Sequence, residues 1–149
     1  MLVKEAIGFE RFRDPKSALG LSIRPEVEAW IAQYKFEYCC KINDNNTIDC
    51  TGFFVFNNHD ITEFPEYIRF NVAHDGFSIS KNKLTTLRGC PKIVKGDFYC
   101  YSNNLKSLEF APEEVGGGFF CENNAVLFTE DDVKAVSKVG EKINVINKY

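Results

Sequence analysis

The chain has 149 residues, of which 44% are hydrophobic and 26% charged, with a formal net charge of -3. Such proportions are ordinary for one folded unit and exclude a disordered chain, and no window approaches the roughly 18 consecutive apolar residues of a membrane-spanning helix. The acidic balance argues against a double-stranded nucleic-acid partner, whose phosphates call for an excess of lysine and arginine. At the N-terminus, Met1, Leu2, Val3, Lys4 and Glu5 reach an acid before any apolar run. That order predicts no signal peptide, no membrane partner and a cytoplasmic location.

Residues 1–46 show no repetition and are expected to form an N-terminal cap. Within them Pro25 opens a helical pattern in which Val27, Trp30, Ile31 and Tyr34 share a face, since proline suits a first turn and these spacings follow the helical period. The stretch from Asn43 to Asp49 superficially resembles a calcium loop, but the glycine and the terminal bidentate glutamate that such a loop needs are missing, so it reads as a turn.

A repeat follows, over residues 47–128. Phe77, Ile79, Asn82, Leu84, Leu87, Pro91 and Val94 recur 21 residues later as Phe98, Cys100, Asn103, Leu105, Leu108, Pro112 and Val115. Phe119, Cys121 and Asn124 begin a further copy, and Phe54, Phe56, Ile61 and Phe64 precede the first by 23 residues. In each unit a short alternating stretch puts Phe98 and Cys100 on one face and Tyr99 and Tyr101 on the other. An asparagine corner comes next, then a proline that forces the chain to return. A strand, a corner and a return limb make one coil of a solenoid, whose strands pair in parallel with their copies. The inward asparagines Asn82, Asn103 and Asn124 are expected to hydrogen-bond the backbone of adjacent coils, with His59 standing in for asparagine in the first unit. Gly116, Gly117 and Gly118 read as a tight corner rather than a phosphate loop, because no Lys-Ser/Thr element follows.

Beyond the repeats, residues 129–149 are expected to form a C-terminal cap. Thr129 with Glu130, Asp131 and Asp132 signals a helix start, Val133, Val136 and Val139 a packed face, Gly140 its end, and Ile143, Val145 and Ile146 a final strand. With no flexible linker between these pieces, residues 1–149 are read as one domain. The expected architecture is α/β: a short leucine-rich-repeat-like solenoid of about four coils, with a parallel sheet and helical caps at both ends.

The series Phe98, Cys100, Asn103, Leu105, Leu108 resembles the later part of the leucine-rich repeat, with Phe and Cys where leucine is usual. The limb from Leu108 through Pro112 to Val115 is similar to the return segment in repeats of secreted bacterial effectors. The units also resemble those of a group of tailed-phage proteins, through Gly96, Asp97, Phe98, Tyr99, Cys100, Asn103, Asn104, Leu105, Leu108, Pro112 and Val115. The segment 9–20 (Phe9, Glu10, Arg11, Asp14, Pro15, Lys16, Ala18, Leu19, Gly20) is similar to theirs as well. The resemblance implies a solenoid of phage origin and brings no activity with it.

No residue pattern points to catalysis, a metal or a cofactor. The six cysteines include no C-x-x-C pair, and Cys100 and Cys121 on neighbouring parallel strands point the same way, which suits a disulfide poorly. They read as small core residues in a reducing compartment. The outward strand positions carry Asn57, Ser78, Ser80, Tyr99, Tyr101, Phe120 and Glu122, and exposed aromatics on a sheet supply rigid contact area. These seven residues are the candidate partner-binding site on the concave face of the sheet. The expectation is a non-enzymatic protein-binding module, a phage-encoded inhibitor or adaptor acting on a host protein such as a defence factor. The alternative is a nucleotide or single-stranded nucleic-acid binder that stacks bases on the same tyrosines and pairs phosphates with Lys81 and Lys83.

Overall fold

A computed structural model describes residues 22–146; the segment 9–20 that carries part of the phage resemblance, and residues 1–21 of the expected N-terminal cap, lie outside the described residues. The chain winds as a parallel-rich β-solenoid of about five turns. Helix α1 (Arg24–Gln33) comes first, followed by β1 (Cys40–Ile42), β2 (Ile48–Cys50), β3 (Phe54–Val55), β4 (Phe70–Ala73), β5 (Phe77–Ser78), β6 (Ile93–Val94), β7 (Phe98–Tyr99), β8 (Glu114–Val115) and β9 (Phe119–Phe120). A short helix α2 (Glu130–Lys134) then leads to β10 (Lys138–Val139) and β11 (Ile143–Asn144). Two sheets result, one of six strands ordered β1-β2-β4-β6-β8-β10 and one of five ordered β11-β9-β7-β5-β3.

The second sheet departs from the single sheet of the expectation. Its strands start two residues past Pro91 and Pro112, as the returning chain straightens and pairs Ile93 with Glu114 and Val94 with Val115. In the five-stranded sheet Phe54 registers with Phe77, Phe77 with Phe98, Phe98 with Phe119 and Phe119 with Ile143. The coil steps are therefore 23, 21, 21 and 24 residues, subtracting along the register.

Stacking of one inward position builds a phenylalanine spine. Phe54, Phe77, Phe98 and Phe119 are fully buried, with ring centroids 4.9, 6.3 and 5.1 Å apart from one coil to the next. Burial of about 150–250 Å² per aromatic ring makes this column a leading apolar contribution to the core. Trp30 of α1 lies over its first coil, 5.4 Å from Phe56, 5.9 Å from Phe64 and 6.4 Å from Phe70 between ring centroids.

The asparagine ladder closes the corners. Asn103 Nδ2 donates to Ile79 O at 3.0 Å in the preceding coil and to Cys100 O at 3.2 Å in its own, while its Oδ1 accepts from Asn82 N at 3.2 Å and Leu84 N at 3.0 Å. Asn82 and Asn124 repeat the pattern on Phe56 O and Cys100 O. One residue ahead of each rung, Lys81, Ser102 and Asn123 take left-handed φ values of 58°, 56° and 57°, which turns the next side chain inward. Asn58 does the same ahead of His59 at φ 63°, yet His59 is exposed and its ring stacks on Phe56 at 4.0 Å instead of entering the corner. The ladder's first rung is therefore Asn82, whose Oδ1 accepts from His59 N at 2.7 Å.

At the C-terminal end, α2 stops at Lys134, well short of the helix read through Val139. Thr129 and Asp132 form the reciprocal capping pair at its start, but Lys138 and Val139 pair with Glu114 and Val115 and extend the six-stranded sheet. Strand pairing wins over the valine spacing, and the tail forms a further coil rather than a helical cap.

Candidate binding surface

The outer positions of the five-stranded sheet stack as Val55, Ser78, Tyr99, Phe120 and Asn144. Tyr99, Tyr101, Phe120 and Asn57 of the candidate set are half-buried and reach the surface, whereas Ser78, Ser80 and Glu122 are buried. Ser78 Oγ donates to Asn57 Oδ1 at 2.8 Å, tying one outer position to its neighbour. Ser80 Oγ and Glu122 Oε1 are buried with no hydrogen-bond partner among the described residues. The accessible part of the face is thus its aromatic part, with polar groups sunk between the rings.

Three rings form a row. Tyr99 stacks on Phe120 at 4.7 Å with 15° between planes, and Phe53 on Tyr99 at 6.2 Å with 27°. Lys142 Nζ closes the row 5.8 Å from the Phe120 centroid, within the range of a cation–π contact. Tyr101 meets Tyr99 edge-on at 6.3 Å.

The residues just before the strands explain how the rings lie flat. Phe53, Gly76, Asp97, Gly118 and Lys142 occupy one column, each immediately ahead of a strand of the five-stranded sheet. A Cβ on Gly76 would sit 2.9 Å from Phe53 Cε1 and one on Gly118 2.8 Å from Phe120 Cε1, so both rings rest where a side chain would otherwise be. Asp97 fixes the middle of the row: its Oδ1 accepts from Gly118 N at 2.7 Å and its Oδ2 from the Tyr99 hydroxyl at 3.0 Å. Desolvation first, and the neighbouring Asp97 second, hold the Tyr99 hydroxyl in its neutral, donating form above the usual phenol range.

Beside the row, at the corner joining the two sheets, lies an open cavity of about 290 Å³. It is lined by Phe53 and Tyr99, by glycines, and by the acids Asp75, Asp97 and Glu141 with one lysine, Lys95. The floor is glycine because coils touch there backbone to backbone: a Cβ on Gly96 would stand 2.7 Å from Gly76 N, and one on Gly116 would run into Lys95 O. Among the described residues no group of three or more His, Cys, Asp or Glu could hold a metal ion, and no helix is long and apolar enough to cross a membrane. All six cysteines are free thiols.

Sequence reasoning missed Phe53, Asp97 and Lys142. A signal for Phe53 was present, since the 23-residue step that aligns Phe54 with Phe77 also sets Phe53 against Gly76. Lys142 enters the column only through the 24-residue step to β11, which no repeated residue marks.

The fold places the chain in the class of short parallel β-solenoids. Comparison with known protein families, with curated proteins and with solved structures finds no match.

Proposed function

We propose that the protein is a non-enzymatic binding module that holds another protein against the outer face of its five-stranded sheet. The observation that carries this reading is the flat row of Phe53, Tyr99 and Phe120, kept at the surface by glycines and by the Asp97 bond to Tyr99. Rigid, partly exposed rings offer contact area at little entropic cost on docking. Three carboxylates against one ammonium around the adjoining cavity, with the unpartnered Glu122 oxygen elsewhere on the face, favour a partner segment that presents arginine or lysine beside an apolar side chain. Arginine suits such a place because its guanidinium both stacks on rings and pairs with carboxylates. The same acids repel phosphate, and Lys83 is engaged by Asp60 at 3.7 Å, which disfavours the nucleotide reading. The resemblance to tailed-phage repeats suggests a host protein in the cytoplasm of an infected bacterium as the partner, and inhibition or adaptation as the role.

The test pairs capture with titration. Immobilised protein is exposed to infected-cell lysate, and a retained protein is then titrated with the parent, with the Phe53→Ala, Phe120→Ala double variant and with the Asp75→Asn, Glu141→Gln double variant. The aromatic variant should melt close to the parent and bind about thirtyfold more weakly or worse, as for central interface aromatics. The acid variant should weaken binding and flatten its salt dependence. Undiminished binding by a folded aromatic variant moves the site elsewhere, and capture of oligonucleotides instead of protein revives the nucleic-acid reading.

A further inference from the structure

The hairpin of β1 and β2 sets two cysteines face to face. Cys40 is the register partner of Cys50 in this antiparallel pair. Thr51 N donates to Cys39 O at 2.8 Å and Asn43 N to Thr47 O at 2.8 Å, so the hydrogen-bonded pairs fall at 39/51 and 43/47. Bonded and non-bonded pairs alternate along an antiparallel ladder, which makes 40/50 a non-bonded pair, with Cα atoms about 4.5 Å apart and side chains at their closest. That separation lies within the disulfide range of about 4.4–6.8 Å.

The two thiols are not equivalent. Cys50 is fully buried, and Cys40 reaches solvent. Donation from Cys50, with a second bond from Cys39, holds the Cys40 thiol below its ordinary range in spite of partial burial, whereas the Cys50 thiol is pushed far up by the same bond and by burial. Cys39 is buried and its thiol is pushed up to about 11. Cys40 is therefore the more accessible and the more readily ionised of the two, and Cys50 the one that keeps its proton.

We propose that Cys40 and Cys50 are a peroxide-reactive pair, in which Cys40 is the nucleophile and Cys50 the resolving thiol of a reversible disulfide across the hairpin. The Cys40 thiolate attacks one oxygen of hydrogen peroxide; the S–O bond forms, the O–O bond breaks, and hydroxide leaves, taking up a proton as water. The product at Cys40 is a neutral sulfenic acid, so the negative charge that kept the proton on Cys50 is gone. The Cys50 sulfur then attacks the Cys40 sulfur, the S–S bond forms, the S–O bond breaks, and the hydroxyl group departs with the Cys50 proton as a second water. Two thiols lose two electrons in all, and one peroxide gains them. Since β2 pairs in parallel with β4, the bond staples the hairpin onto the first turn of the solenoid.

The folded full-length chain is treated with dilute hydrogen peroxide, its remaining thiols are alkylated in denaturant, and it is digested with trypsin. Cleavage after Lys35, Lys41 and Arg69 leaves Cys39 and Cys40 in peptide 36–41 and Cys50 in peptide 42–69. We expect the two peptides linked, two hydrogens lighter than their sum, in the parent and in Cys39→Ser, unlinked in Cys40→Ser, and released by dithiothreitol. The oxidised parent should melt several degrees above the reduced one. As a check independent of any variant, brief iodoacetamide labelling of the native protein should modify Cys40 first and block the linkage. Linkage that survives in Cys40→Ser, linkage that forms only in denatured protein, or first labelling at another cysteine overturns the proposal.

Discussion

Asn103 shows how much one side chain does in this fold. Its amide serves two coils at once, through carbonyls at Ile79 and Cys100 and amides at Asn82 and Leu84. Replacement by alanine leaves several buried backbone groups without partners, each costing about 1–3 kcal/mol. Asn103→Ala is therefore expected to lower stability by at least about 3 kcal/mol in urea unfolding; a loss under about 1 kcal/mol would show that water can replace the amide in the corner. The spine and the ladder were legible in the sequence because a repeated role keeps a repeated residue, as with Phe77, Phe98 and Phe119. His59 was not, because nothing in the 23-residue step tells whether its ring enters the corner or stacks on Phe56.

Among the elements, the glycine corners separate folding from surface shape. A Cβ on Gly96 meets the backbone of the neighbouring coil at Gly76 N and Asp75 C, 2.7 and 2.8 Å away, and coils cannot part locally without losing their ladder bonds. The atoms nearest to a Cβ on Gly76 belong to the half-exposed Phe53 ring, at 2.9 Å and beyond. Gly96→Ala should thus cost about 1–3 kcal/mol of overpacking. Gly76→Ala should change the melting temperature little while it lifts Phe53 off the row and weakens partner binding. Thermal melts of both variants check this; equal losses would mean that the Phe53 ring is as fixed as the backbone. The second sheet was hidden for a related reason. Ile93–Val94 and Glu114–Val115 are too short to show alternation, and Lys138–Val139 was masked by valines at helical spacing. Only pairing with the coil before decides those residues. The face of the five-stranded sheet was readable in outline from Tyr99 and Tyr101, but which of its polar residues are sunk between the rings depends on side-chain sizes in neighbouring coils.

For the whole molecule, the buried thiols set an alkaline limit. Burial pushes Cys90 and Cys100 well up and Cys121 to about 12. Unfolded thiols ionise near pH 9, so the folded state holds protons that the unfolded state gives up. Stability is then fully present below about pH 8.5 and falls as pH climbs toward the folded values, by about 1.4 kcal/mol per pH unit for each such thiol. Melting temperatures should drop steeply between pH 9 and pH 11, as the ordinary thiol value of 9.0 and the Cys121 value imply. A flat profile across that window would place the thiols in contact with water. The ladder also gives the molecule a direction. Asn82 reaches back to Phe56 O and His59 N, Asn103 to Ile79 O and Leu84 N, and Asn124 to Cys100 O and Leu105 N. The asparagine side chain that completes each of these corners thus comes from the following turn, while Asn104 N and Ala125 N donate to Leu84 O and Leu105 O of the turn before. On the ribosome, where the chain emerges N-terminus first, the amides of His59, Leu84 and Leu105 must wait for roughly one more coil of synthesis before their asparagine acceptor arrives, so closure of these corners trails translation by a nearly constant interval.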